Sequence, residues 1–329
     1  MPNLEIVAEL SANHLGSLPR AKQIVQAAAD AGADLFKVQV WQQDTLCVSD
    51  SYVLPSGPWA GRNLRALYRE AWTPWEWLPE LFALVRQLGM EPFGAAFDKP
   101  SVDYLESLGV KRHKVASFEL VDLPLIRYMA GKGKPLILST GMATEGELYA
   151  ARLAGIYPGK QHTFLVCTSA YPAPPEDANL VRLSAWRTLL ESRNIGLSDH
   201  TVGIGTSVAA AALGATMIEK HLTLSRADGG LDAGFSMEPA EFKQLVTECR
   251  RAAASIGAVH YGPGPSESTS LRRSLWAIKA ILAGDALVLD GNVASARPAL
   301  GVSPDFDLSG KQARFSIPAG MPLTLDCIA

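Results

Sequence analysis

Cysteine is sparse in this chain, and no apolar run is both long and free of charge. The four cysteines, Cys47, Cys167, Cys249 and Cys327, are scattered and form no CxxC pair. That spacing fits neither a secreted disulfide framework nor a cysteine-built zinc site, so reduced thiols in a cytoplasmic protein are expected. A membrane-crossing helix needs a charge-free apolar run of about 18–20 residues, and the sequence has none. The opening MPNLEIVAEL carries Glu5 and Glu9 inside its apolar stretch, so it does not read as a secretory leader. An excess of charge of one sign is missing too. The 33 acidic and 30 basic side chains are interspersed, with net charge −3, which gives no electrostatic case for nucleic acid or a membrane surface as partner.

What is present is a regular alternation. The 329 residues are 48% hydrophobic, enough for a barrel-sized core and a small second domain. Short apolar runs predict strands at Glu5–Leu10, Asp34–Val40, Met90–Phe97, Arg112–Ser117, Pro135–Thr140, Thr163–Thr168, Ile195–Ser198 and Met217–His221. Helical patterns separate them. Strand and helix alternating eight times is the α/β pattern of a (β/α)8 TIM barrel, expected over residues 1–262. The pattern breaks from Trp41 to Thr73, a stretch dense in Trp, Arg and Gly. Such an insertion is either a lid or binding loop, or a surface excursion packed on its own tryptophans. Residues 263–270, rich in Gly, Pro and Ser, read as a linker. Residues 271–329 read as a small β-rich domain that docks onto a barrel.

The predicted strand ends carry the chemistry. They gather Glu9, Lys37, Lys114, Ser117, Ser139, Ser169, Ser198, His200 and His221. In a barrel of parallel strands these share one edge, where active sites form. Two lysines and several hydroxyls suit an anionic ligand bearing phosphate and carboxylate. His200 and His221 end successive strands and sit side by side, as ligands of a divalent metal would. Two histidines do not close a zinc site, so water or substrate would complete it. Glu9, Glu119 and Asp232 are the carboxylates available for proton transfer. Each of these residues taken singly could be an ordinary strand-end cap or a satisfied core group.

Taken together, the motifs AELSANH, AGADLFKVQ, HKVASFELVDLPLI, GKPLILSTGMAT, CTSAYPAPPED, GLSDHT and ALGATMIEKHLTL, with RRSLWAIK and ARP near the C-terminus, resemble the sialic acid synthase family. The resemblance covers nearly the whole chain. It implies condensation of phosphoenolpyruvate with an N-acetylated amino sugar to a nonulosonic acid. It also implies a barrel followed by an antifreeze-like (SAF) domain, Mn2+ or Mg2+ on His200 and His221, and a domain-swapped homodimer. By this resemblance Lys37, Lys114, Ser117, Ser139 and Ser198 contact phosphoenolpyruvate, and Ser169 stands beside them. Glu9, Glu119 and Asp232 are catalytic, Tyr171 is on the sugar side, and Arg297 reaches across the dimer. ASFE (Ala116–Glu119) places Phe118 where the N-acetylneuraminate branch has Gly, which points to a 6-deoxy sugar bearing acetamido groups. Ala95 lacks a hydroxyl the family commonly has. Ser169, Val166 and Ala299 also depart from the common pattern. The alternatives are an N-acetylneuraminate or legionaminate type of substrate, and a non-catalytic sugar-phosphate-binding protein on the same fold.

Overall fold

Alternation along each strand builds this barrel from the inside out. A computed structural model describes residues 4–155 and 162–329. Its eight parallel strands are β1 (Glu5–Glu9), β2 (Leu35–Val40), β3 (Glu91–Ala96), β4 (His113–Val115), β5 (Leu136–Ser139), β6 (Thr163–Cys167), β7 (Ile195–Asp199) and β8 (Met217–His221). They close into a barrel in sequence order, β8 pairing with β1. One face of the strands, with Ile6, Phe36, Val38, Val115, Leu138, Val166 and Ile218, packs against the surrounding helices. The other face fills the lumen with an apolar layer of Val7, Leu35, Phe93, Ile137, Leu165 and Met217. Burying each such side chain contributes about 1.5–3 kcal/mol. Gly196 belongs here because a Cβ on it would lie 2.4 Å from the Met217 carbonyl oxygen.

Side chains alternate with period two, so the next lumen layer lies two residues further along each strand. There Val7 gives way to Glu9, Leu35 to Lys37, Phe93 to Ala95, Ile137 to Ser139, Leu165 to Cys167 and Met217 to Glu219, all buried. Register locks the layer together. Glu9 pairs with both Lys37 and His221, Ala95 with Lys114, and Ser198 with Glu219. At the N-terminal end of the lumen, Arg112 spans Glu5 (2.9 Å) and Glu91 (2.7 Å).

Helices return the chain to the bottom of the barrel, and their starts are written locally. Asp98 caps Lys99–Ser107, Asp122 caps Leu123–Ala130, and Glu238 with Glu241 forms a capping box on Pro239–Ser255. Among the described residues, no helix is long and apolar enough to cross a membrane. The Trp41–Thr73 insertion differs from the irregular stretch expected. It contains a helix, Leu64–Ala71, capped by Asn63, whose side chain accepts from the Ala66 N–H at 2.9 Å. Only Leu67 and Ala71 of that helix are buried, and its eight residues make little more than two turns. Arg65 and Arg69 clamp the helix to Asp44.

The chain divides into two compact units, Met1–Gly257 and Ala258–Ala329. The second is built on an antiparallel pair, Ser274–Ala277 with Val293–Ala296. Its own core includes Leu275, Ile281, Leu287, Val293, Ile317 and Leu323.

Candidate active site

The floor of the site is the polar lumen layer. Lys37 Nζ donates to Glu219 Oε1 at 2.5 Å and lies 3.2 Å from Glu9 Oε2. Ser198 Oγ donates to the same Glu219 oxygen at 3.1 Å. Lys114 Nζ donates to Ser139 Oγ at 2.5 Å and lies 3.8 Å from Glu219. Burial dominates the protonation here. It raises Glu9 well above the usual carboxylate range, against the pull of Lys37. It lowers Lys114 to about 8, with Lys37 adding to the fall and Glu219 opposing it. Burial also opposes the charges of Lys37 and Glu219, but Lys114 and Lys37 together keep Glu219 ionised, and Glu219 with Glu9 keeps Lys37 charged. With Glu9 protonated, two ammonium groups face one carboxylate, and the layer has positive charge to offer an anion. Glu219 Oε2 is buried without a hydrogen-bond partner, and Glu9 Oε2 has the Lys37 ammonium beside it.

Above the floor stand the histidines. The rings of His200 and His221 lie 5.3 Å apart, edge to face. His200 Nδ1 donates to the Thr168 carbonyl at 2.9 Å, which in the neutral ring puts the lone pair on Nε2; against burial, Cys167 raises the pKa of this ring. His221 Nδ1 is buried and unpartnered. Burial, with His200 adding to it, pushes the pKa of His221 far down, so that ring is neutral. Beside them, Lys220 Nζ lies 2.9 Å from Asp199 Oδ2, both side chains 1% exposed. Asp199 also accepts from the Thr201 N–H and the Ser207 hydroxyl, which fixes the turn carrying His200. A divalent metal fits this donor set. The chain offers two imidazoles with lone pairs, and among the described residues no cluster of three His, Cys, Asp or Glu groups closes the site. The remaining positions would fall to water or substrate.

Aromatic rings wall the histidines. Tyr171 lies 4.4 Å from His200, and Phe235 lies 5.1 Å from both His221 and Tyr171. Trp59, from the insertion, meets Tyr171 at 5.7 Å and Phe235 at 6.3 Å, and its indole N–H donates to the Leu231 carbonyl.

Carboxylates and hydroxyls flank this wall. Asp232 accepts from Ser11 Oγ and from the Ala12 N–H at 3.2 Å, and burial raises its pKa against those bonds. Burial raises Glu119 to about 7, and its Oε2 has no partner. Ser117 Oγ accepts from the Gly141 N–H at 3.1 Å, and a Cβ on Gly141 would lie 2.1 Å from Ser169 Oγ. Glycine therefore lets Ser117 and Ser169 approach each other at this edge.

The structure thus brings Glu9, Lys37, Lys114, Ser139 and Ser198 into one contact network, Ser117 beside Ser169, and His200 beside His221 and Tyr171. Phe118 is 57% exposed on the short 3-10 turn Ser117–Glu119. Arg297 belongs to the second unit. Sequence reasoning passed over four contributors. Glu219 looked like a mere neighbour of His221, although its period-two offset from Met217 put it in the lumen. Ser11 and Gln39 carried no signal of their own. Trp59 was visible only as part of the insertion.

The family model for the NeuB family matches residues 24–261. The chain belongs to the NeuB family. It is 38% identical to the pseudaminic acid synthase of Helicobacter pylori, over 98% of this chain and 97% of that protein. It is 35% identical to the N,N'-diacetyllegionaminic acid synthase of Campylobacter jejuni, over 91% of each. Among solved structures, it resembles the N-acetylneuraminic acid synthetase of Leptospira borgpetersenii in complex with citrate. The TM-score there is 0.73 at 30% identity, covering 80% of this chain and 89% of that one.

Proposed function

We propose that this chain is an enzyme that condenses phosphoenolpyruvate with 2,4-diacetamido-2,4,6-trideoxy-β-L-altropyranose and water, giving pseudaminic acid and phosphate. The observation that carries the proposal is the buried polar layer of Glu9, Lys37, Lys114, Ser139, Ser198 and Glu219 beside a ligand-ready histidine pair. The 37–38% identity to pseudaminic acid synthases, over 96–98% of the chain, supports the choice of sugar.

Lys37, Lys114 and the serines hold the phosphate and carboxylate of phosphoenolpyruvate, which puts its C3 in reach of the open-chain aldehyde. Holding two reactants in one geometry supplies much of the rate. C3 forms the new bond to the aldehyde carbon, whose oxygen takes up a proton and becomes a hydroxyl. Water adds to the cationic C2 and gives up a proton, which Glu9, raised by burial to about 7, accepts in its ionised form. The tetrahedral carbon then breaks its bond to the phosphate oxygen, and its new hydroxyl becomes the ketone by passing its proton to the departing phosphate. Glu119 and Asp232 handle protons on the sugar side, where Tyr171 and Phe118 also contribute. His200 and His221 would hold Mn2+ or Mg2+, which when bound supplies Lewis-acid polarisation of the aldehyde. Ala95 gives up a hydroxyl contact to the enolpyruvate, worth about 1 kcal/mol. The reading includes cytoplasmic reduced cysteines and a domain-swapped homodimer. In that dimer the antifreeze-like unit of each protomer sends Arg297 to its partner.

The test is parallel incubation of the chain with phosphoenolpyruvate, Mn2+ and either the diacetamido-trideoxy sugar or N-acetylmannosamine, following phosphate release and product mass. Turnover of the first sugar alone is expected. Turnover of the second alone would keep the chemistry and overturn the substrate. Absence of phosphate release with both sugars would return the non-catalytic reading.

A further inference from the structure

Ser11 is buried just past the end of β1, and its backbone has φ 48°. That left-handed region is open to glycine and strained for a residue with a Cβ. The Cβ retained there carries a hydroxyl that both donates and accepts. It donates to Asp232 Oδ2 and accepts from Gln39 Nε2 at 3.3 Å. The Ser11 N–H donates to Glu9 Oε1 at 3.2 Å. The next residue adds a second bond to the same Asp232 oxygen through the Ala12 N–H. One residue therefore ties β1, β2 and the loop after β8 together, with Glu9 on its backbone and Asp232 on its side chain.

Fold maintenance does not require this arrangement. A glycine would adopt the same turn without strain and keep the Glu9 bond. Only the hydroxyl would go, leaving Asp232 Oδ2 with the Ala12 N–H alone and the Gln39 amide without this acceptor. Strain held at a site where two carboxylates converge marks a functional constraint.

We propose that Ser11 is a positioning residue for the condensation, holding the Glu9 and Asp232 carboxylates in a fixed relative orientation. This rests on the reading of those two groups as the proton-handling pair. Ser11→Gly separates the hydroxyl from the strain, and Ser11→Ala removes the hydroxyl while keeping the Cβ. In the full-length protein, both variants are expected to lose about 10- to 100-fold in kcat, with KM for phosphoenolpyruvate within about twofold of wild type. Ser11→Gly is expected to melt at or above the wild-type temperature, and Ser11→Ala below it. A loop pin alone would make activity follow melting temperature. The kcat–pH profile is the second readout. Loss of a donor to the ionised Asp232 moves the acid limb to higher pH. Wild-type kcat in Ser11→Gly, or kcat losses that track melting temperature with an unmoved acid limb, would overturn the proposal. A wild type that releases no phosphate with either sugar overturns the condensation reading and this one with it, whereas an active wild type beside a fully active Ser11→Gly overturns this one alone.

Discussion

Raising the pH from 7 to 9 should weaken productive phosphoenolpyruvate binding about tenfold through one lysine. Burial lowers Lys114 to about 8. A lysine is charged below its pKa, so Lys114 is about nine-tenths charged at pH 7 and about one-tenth at pH 9. If only the charged form holds the anion, kcat/KM for phosphoenolpyruvate falls by about that ratio. Lys37 does not contribute, because Glu219 foremost keeps it ionised through the range; Glu9, raised to about 7, ionises in the same window and deepens the fall. The ligand's phosphate completes its ionisation near about pH 6, and the sugar is neutral. The assay is initial-rate phosphate release between pH 7 and 9 at saturating sugar, with phosphoenolpyruvate varied. The alkaline limb of kcat/KM reports the free enzyme. Glu219→Gln extends the test. The Glu219 charge lies 3.8 Å from Lys114 Nζ. At an effective dielectric of 20 such a pair interacts by about 4 kcal/mol, and one pKa unit is about 1.4 kcal/mol. Even a third of that attraction, once lost, moves the limb down by about one unit. A flat kcat/KM from pH 7 to 9 would refute the argument. So would a Glu219→Gln limb at the wild-type position.

Other consequences follow from the same geometry. His200→Ala or His221→Ala should weaken Mn2+ binding by about 100-fold or more, because one imidazole is left to hold the ion; electron paramagnetic resonance titration of free Mn2+ reads this directly, and unchanged affinity would sink the assignment. Trp59→Phe keeps a ring against Tyr171 and Phe235 but drops the N–H to Leu231, so KM for the sugar should rise about threefold to tenfold while that for phosphoenolpyruvate stays put. Lys220→Met leaves the Asp199 charge buried and unpaired, which should cost about 3–5 kcal/mol in denaturant unfolding, against under about 1 kcal/mol for breaking the exposed Arg226–Glu241 pair. Mixing inactive Glu119→Gln with inactive Arg297→Ala should restore about a quarter of wild-type activity if Arg297 serves the partner's barrel, since half of the dimers are mixed and each mixed dimer has one intact site; no recovery after subunit exchange would place Arg297 outside any shared site.

The parts of this molecule that could be read from sequence are those where one rule acts alone. A parallel barrel needs apolar strands between helices, and LILS, IGLSD and MIEKH announce themselves by composition. The histidine pair is legible for the same reason, because successive strand ends must share an edge. The floor is harder, because two rules overlap there. In MIEKH the alternation that buries Met217 and His221 also sends Glu219 into the lumen, while Lys220 points the other way and pairs with Asp199. Read without that alternation, Glu219-Lys220 looks like a charged couple flanking a ligand. Read with it, the two side chains do separate jobs on opposite faces of one strand, as their separate partners show. Ser11 lies further out of reach, because nothing in AELSANH reveals that the chain turns left-handed after Leu10. Trp59 depends on where a long insertion lands, which local pattern does not encode. The residues hidden from sequence are therefore those whose role is set by a neighbour distant in the chain. They are also the residues whose substitution should change orientation and selectivity while leaving the barrel intact, so the Ser11 and Trp59 variants probe the site more finely than loss of a lysine or a histidine.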